Sequence, residues 1–176
     1  MIYLITGASH TGKTYLAQKM LEKLRISTLS QDHIKMGLIR SGLINMTVYE
    51  DEKLTETLWP VTREIMKTAV ENHQSLIIEG CYVPANWKND FDEELVNQIQ
   101  FVCLIMSEDY INAHENDLIE YADVIENRLE KSINKEEFIH TNKYWLNVCR
   151  MNQLPYVLVE EKYDMLEQAM NLFQLN

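Results

Sequence analysis

Cysteine is scarce in this sequence. The three present, Cys81, Cys103 and Cys149, are far apart and form no C-x-x-C pair. That argues against a disulfide framework and against a zinc site, and leaves isolated thiols suited to a reducing compartment. Proline and glycine are scarce too, at 3 and 5 residues, and no linker, internal repeat or low-complexity tract interrupts the chain. No apolar run approaches the roughly 18–20 residues of a membrane span. The stretch Met1–Thr6 has neither a basic start nor a cleavage pattern, so no signal peptide is expected and the expected location is cytoplasmic. Positive charge is the last shortage. Sixteen Lys and Arg against 27 Asp and Glu leave a formal net charge of -11. Such a surface suits neither a nucleic-acid polymer nor an anionic membrane. A small anion in one local site stays admissible, because backbone N–H groups can hold it whatever the net charge.

What the chain does have is the material for a core. Its 176 residues are 46% hydrophobic, and a domain of that length buries roughly 70% of its unfolded surface. A single domain over residues 1–176 is expected. Apolar runs at Ile2–Thr6, Ser75–Glu79, Phe101–Met106 and Tyr156–Glu160, with a weaker one at Ser27–Ser30, read as strands. Helical periodicity fills the intervals: Lys13 to about Arg25, Asp32 to about Arg40, Glu50–Asn72, Asn86–Gln98, Glu136–Met151 and Lys162–Phe173. Asp32 is expected to cap its helix and Pro60 to kink the third. Leu54, Leu58, Val61, Ile65, Met66 and Ala69 should line that third helix's buried face. Strands alternating with helices, most of them continuous apolar runs, indicate an α/β fold in three layers, a parallel sheet with helices on both faces.

The strongest motif stands near the start. Gly7-Ala8-Ser9-His10-Thr11-Gly12-Lys13-Thr14 satisfies G-x-x-x-x-G-K-[ST] in full, after a strand and before a helix. The two glycines allow a tight loop whose N–H groups turn onto phosphate oxygens, and the helix N-terminus adds partial positive charge. Lys13 can reach the β- and γ-phosphates of ATP, and the Thr14 hydroxyl can ligate Mg²⁺. His10 either fills a variable loop position or touches the ligand directly.

With this loop, and with Ser30-Gln31-Asp32-His33-Ile34-Lys35 and Ile77-Ile78-Glu79-Gly80, the chain resembles the small P-loop kinases of the nucleoside and nucleotide kinase type. Within that group it is most similar to bacterial proteins of adenylate-kinase-like or 2-phosphoglycerate-kinase-like character. The resemblance implies five parallel strands, a substrate-binding helical segment near residues 32–73 and a helical lid near 108–137. It implies ATP and Mg²⁺ as cofactors and a small-molecule acceptor as partner. Asp32 would orient or deprotonate the acceptor hydroxyl, a role it could combine with helix capping. Glu79 would organise Mg²⁺ through water or contact the acceptor. Lys35 stands where nucleoside monophosphate kinases carry a phosphate-binding Arg, and a lysine binds phosphate only as a point charge. Arg40 and Arg63 are further candidates for an anionic acceptor, or plain surface residues. Tyr82, Pro84 and Trp87 either wall the acceptor site or pack in the core. Asn142-Lys143-Tyr144-Trp145 is expected to pack before the last strand.

The lid segment departs from the pattern. Between Glu108 and Glu137 there are ten acids and three bases, a net of -7. Kinase lids commonly bring arginines onto the transferring phosphate. Here the sole arginine is Arg128, a candidate catalytic residue or part of a solvated helix pair held by i,i+4 charge contacts. Two functional classes remain: a kinase acting on a small molecule, and a nucleotide-binding switch or degenerate kinase with little turnover.

Overall fold

The computed structural model describes residues 1–115, 118 and 134–175. Strand β1 (Ile2–Gly7) is buried along its whole length, as an apolar run covered on both faces must be. It is the centre of a five-stranded sheet with β2 (Ser27–Ser30), β3 (Leu76–Glu79), β4 (Ile99–Met106) and β5 (Tyr156–Val159). The order is β2-β3-β1-β4-β5, and every pairing is parallel. From β1 the chain goes outward to β2, and from β3 it crosses back over β1 to β4. Connections therefore leave in opposite directions around β1, which opens a crevice at the carboxyl ends of β1 and β3. Gly7 and Glu79 are the last residues of those two strands.

The helices are α1 (Lys13–Leu24), α2 (Gln31–Arg40), α3 (Asp51–Glu71), α4 (Glu93–Val96), α5 (Glu108–Ala113), α6 (Lys135–Met151) and α7 (Met165–Leu172). Helix α1 buries Lys13, Leu16, Ala17 and Met20, one stripe at helical spacing. The main core joins β1, β3, β4, β5 and the inner faces of α1, α6 and α7. Inside it Cys103 on β4 and Cys149 on α6 meet as free thiols. A second, smaller cluster of Leu54, Leu58 and Tyr82 gathers Ile34, Leu38, Ile39, Ile44 and Met46. It belongs to α2, α3 and the loop after β3, so the segment next to the crevice has its own packing.

Several expectations shift. Asp32 does not cap α2; Ser30 takes the N-cap position and Asp32 lies in the first turn. Helix α3 runs unbroken through Pro60. Its buried face holds Trp59 and Thr62 with Leu54, Leu58, Met66 and Ala69, while Val61 is 39% exposed. The expected helix at 86–98 divides into a 3₁₀ turn, Trp87–Asp90, and the short α4. Phe91 is extended between them, its ring against Trp59 and Trp87, and Asp92 restarts the helix by accepting from the Leu95 N–H at 2.8 Å. Trp87 itself is core, 1% exposed and stacked on Phe101. The last helix starts at Met165 rather than Lys162, because residues 160–163 form a loop that lays Tyr163 on the phosphate loop. Among the described residues no helix is long and apolar enough to cross a membrane.

Candidate active site

The loop between β1 and α1 is shaped by backbone conformations that side chains resist. Gly7 has φ +138°, and a Cβ there would fall 2.2 Å from the Leu104 carbonyl oxygen on β4. Gly12 has φ +86°, and a Cβ there would fall 1.8 Å from the Tyr163 hydroxyl. Only glycine meets both demands. Inside the loop the Thr11 hydroxyl donates to the Ala8 carbonyl at 2.9 Å, and Lys13 Nζ donates to the same oxygen at 2.7 Å. Ser9 is exposed, and the His10 ring sits edge-on to Phe138 at the start of α6. Tyr163 closes the outer side, its hydroxyl 3.5 Å from the Thr11 carbonyl. Burial, with Tyr110 and Tyr15 nearby, pushes the Tyr163 phenol up to about 12, so it stays a donor.

Lys13 is 7% exposed. Burial works to lower its pKa, but Cys81, Glu79 and Asp32 outweigh that and leave it raised. The carboxylates of Glu79 on β3 and Asp32 on α2 thus favour the charged ammonium. Cys81 is shifted up by its own burial, against the pull of Lys13, and is a neutral thiol at ordinary pH. Glu79 is 2% exposed and accepts the Thr14 hydroxyl at 3.3 Å through Oε2. A hydroxyl and a carboxylate side by side suit a hard cation that retains most of its water, as Mg²⁺ does. This donor pair fits such an ion.

The loop after β3 is bolted down by Gln31, which sequence reasoning missed. Its Nε2 donates to the Thr62 hydroxyl and to the Tyr82 carbonyl, both at 3.1 Å, and its Oε1 accepts from the Tyr82 N–H at 2.9 Å. Gly80 makes room for it, since a Cβ there would lie 2.3 Å from Gln31 Oε1. A glutamine in a helix's first turn carries no distinguishing signal; only its burial reveals the role.

On the α2 side of the crevice, Lys35 ion-pairs with Asp32 and donates to the Tyr82 hydroxyl at 3.0 Å. Burial opposes the Lys35 charge, but Asp32 and Tyr82 raise its pKa well above the usual lysine value. Burial pushes Tyr82 up to about 12 against the pull of Lys35, and Asp32 and Asp51 push it the same way. Asp51, at the start of α3, is raised by burial and by Glu137 and Asp32, and is held back by Lys35 and Tyr82. Arg40 and Arg63 stand apart from this group. Arg40 is exposed at the end of α2, and Arg63 pairs with Glu64 at 2.9 Å and faces Asp90 at 3.8 Å. Neither is among the groups that shift Lys13, Lys35 or Asp51. Arg128 lies outside the described residues. The site brought together thus comprises the loop Gly7–Thr14, Glu79, Cys81, Asp32, Lys35, Tyr82 and Asp51.

Comparison of the whole fold with solved structures gives consistent neighbours. A putative kinase from Chloroflexus aurantiacus superposes with TM-score 0.55 at 19% identity, covering 99% of this chain and 97% of that one. The chain has a small P-loop kinase-like fold. Deoxyadenosine kinase from M. mycoides gives TM-score 0.58 at 16% identity, over 99% of this chain and 97% of that one. Shikimate kinase from Bacteroides thetaiotaomicron gives TM-score 0.55 at 17% identity, over 99% and 96%. No family model and no curated protein matches the sequence.

Proposed function

We propose that the chain transfers the γ-phosphoryl group of ATP to a hydroxyl of a small molecule. One observation carries the reading: Lys13 and Thr14, Glu79, and Asp32, from three separate stretches of sequence, converge at the crevice beside β1. Lys13 would leave the Ala8 carbonyl for the β- and γ-phosphates, while the loop N–H groups hold the remaining oxygens. Thr14 and Glu79 would hold Mg²⁺ and its water; the ion, when bound, neutralises phosphate charge. Asp32 would orient the acceptor hydroxyl and take its proton as the O–P bond forms and ADP leaves. Lys35 and Tyr82 fix Asp32 and its surroundings in place. Little covalent work falls to the protein, so positioning and electrostatics supply most of the rate. The neighbouring structures support the reading, since kinases for a nucleoside and for shikimate share the fold.

The test is acceptor-dependent release of ADP from ATP and Mg²⁺, with Lys13→Met as control. Turnover stimulated by an acceptor and abolished by that substitution supports the kinase. Tight ATP binding without turnover on a broad panel of alcohols supports a nucleotide-binding protein with no transferase activity.

A further inference from the structure

Three residues of the phosphate loop have positive φ: Gly7 at +138°, His10 at +64° and Gly12 at +86°. Two are glycine, which takes that conformation without steric cost; His10 carries a Cβ that resists it. The other described residues of this kind that are not glycine are Arg25, His73, Gln153 and Gln174. Each is a helix's C-cap residue or the residue after it, where one left-handed residue closes the last turn. His10 ends no helix. Its left-handed turn sets where the following N–H groups point, and a row of such groups makes the anion-binding hollow of a phosphate loop.

A strained residue persists where its surroundings hold it. The His10 ring stands edge-on to Phe138, with centroids 6.2 Å apart and planes at 77°. Phe138 is buried in the main core. Its carbonyl accepts from Asn142 Nδ2 at 2.9 Å, and Asn142 Oδ1 accepts from the Met106 N–H at 2.8 Å. Asn142 is 1% exposed, and Met106 is the last residue of β4. Gly7 packs against the same strand, paired in register with Leu104. Gly7 and His10 therefore both take their positions from β4, the first directly and the second through Asn142 and Phe138.

We propose that His10 is a positioning residue of the nucleotide site: its ring, held on Phe138, keeps the loop in the left-handed turn that binds phosphate. Helix α6 is thereby part of that site, acting through His10 rather than on the ligand. Freed from Phe138, the loop would spread over other conformations, and apparent affinity would fall with the share that stays competent. An edge-on aromatic pair is strong enough to shift that share. The proposal rests on the reading of the loop as a nucleotide site and adds the group that shapes it.

The experiment is a double-mutant cycle read as affinity for a non-hydrolysable ATP analogue with Mg²⁺. Phe138→Leu keeps apolar bulk and removes the ring, whereas His10→Gly removes both the partner ring and the strain. Phe138→Leu alone should weaken binding about three- to tenfold, the strength of an aromatic pair expressed as affinity. In the His10→Gly background the same substitution should change affinity less than about twofold, the limit for sites that no longer interact. Phe138→Met, also without a ring, takes its place if Phe138→Leu does not fold. Equal losses in both backgrounds would mean that Phe138 only supports α6, and no loss in either would mean that something else holds the turn; each overturns the proposal. A wild-type protein that binds no analogue sinks the nucleotide reading and the proposal with it. The expected coupling in a protein that phosphorylates no alcohol upholds the proposal and sinks only the transfer step.

Discussion

The Thr14 hydroxyl donates to Glu79 Oε2 at 3.3 Å, across 65 residues of sequence. The bond joins the first turn of α1 to the last residue of β3 at the point where the sheet's connections diverge. It sets a hydroxyl and a carboxylate side by side at the Gly7–Thr14 loop, the pair proposed above to hold a hydrated divalent cation. Because Glu79 is 2% exposed, its position is set by the sheet and not by solvent.

Glu79→Gln keeps the size of the side chain and its capacity to accept from Thr14 while removing the charge. Acceptor-stimulated turnover should fall about 100-fold or more, the scale of losing an electrostatic group at a reacting phosphate. The Mg²⁺ concentration for half-maximal rate should rise, while affinity for metal-free nucleotide changes little. Thr14→Val should move the same two quantities in the same direction. An unchanged Mg²⁺ requirement in both variants would assign the pair a structural role only.

Gln31→Ala removes three buried hydrogen bonds at once and strands the Tyr82 N–H and carbonyl, while the Thr62 hydroxyl keeps its bond to the Leu58 carbonyl. Buried groups left unpaired dominate such a loss, so about 2–4 kcal/mol of stability should go. Chemical denaturation measures it directly. Gly80→Ala should destabilise through the same contact, because its Cβ would displace the Gln31 side chain. If Gln31→Ala costs less than about 1 kcal/mol, the loop after β3 is held by something else.

The sequence disclosed the parts of this molecule whose physics is local. Five apolar runs became the five strands, and the glycine spacing of the phosphate loop marked its position, because strand burial and backbone strain are written in neighbouring residues. The helix at 86–98 was misread because its division depends on Phe91 reaching Trp59, 32 positions earlier on α3. The capping half of the Asp32 expectation fails, while its ion pair with Lys35, which in turn donates to Tyr82, joins α2 to the loop after β3. Gln31 and Tyr163 were invisible for the same reason. Each acts on a segment far along the chain, and neither residue type announces such a role.

Cys81 tests the electrostatics around Lys13. Burial raises the thiol above its ordinary value of 9.0, and the nearby ammonium reverses this only in part. At pH 8 the thiolate fraction is then below about one in ten. Iodoacetamide should label Cys81 more slowly than a free thiol at that pH, with a rate that keeps rising past pH 9. The sign for stability follows: a folded-state pKa above the unfolded one gives a contribution present in full below pH 9 and lost as pH climbs through the raised value. Cys81→Ala should therefore lose less stability than the wild type between pH 8 and 10. A labelling rate that levels off below pH 8 would mean that Lys13 holds Cys81 as a thiolate. Bulk added at this position should also weaken ATP binding.

Tyr163 and Gly12 can be separated by a double-mutant cycle. Gly12→Ala imposes two costs: a left-handed backbone at φ +86° and a Cβ placed 1.8 Å from the Tyr163 hydroxyl. The first is intrinsic to the residue and amounts to about 1–2 kcal/mol. The second disappears when the tyrosine is truncated. Gly12→Ala should thus weaken binding of an ATP analogue by more than about tenfold, and adding Tyr163→Ala should recover part of that loss but not all. Tyr163→Phe, which keeps the ring and removes the weak 3.5 Å contact to the Thr11 carbonyl, should change affinity less than about threefold. Affinities and thermal midpoints for the two single alanine variants and their double complete the cycle. If Gly12→Ala and the double variant bind equally, Tyr163 does not shape the phosphate loop, and the need for glycine at position 12 comes from the backbone alone.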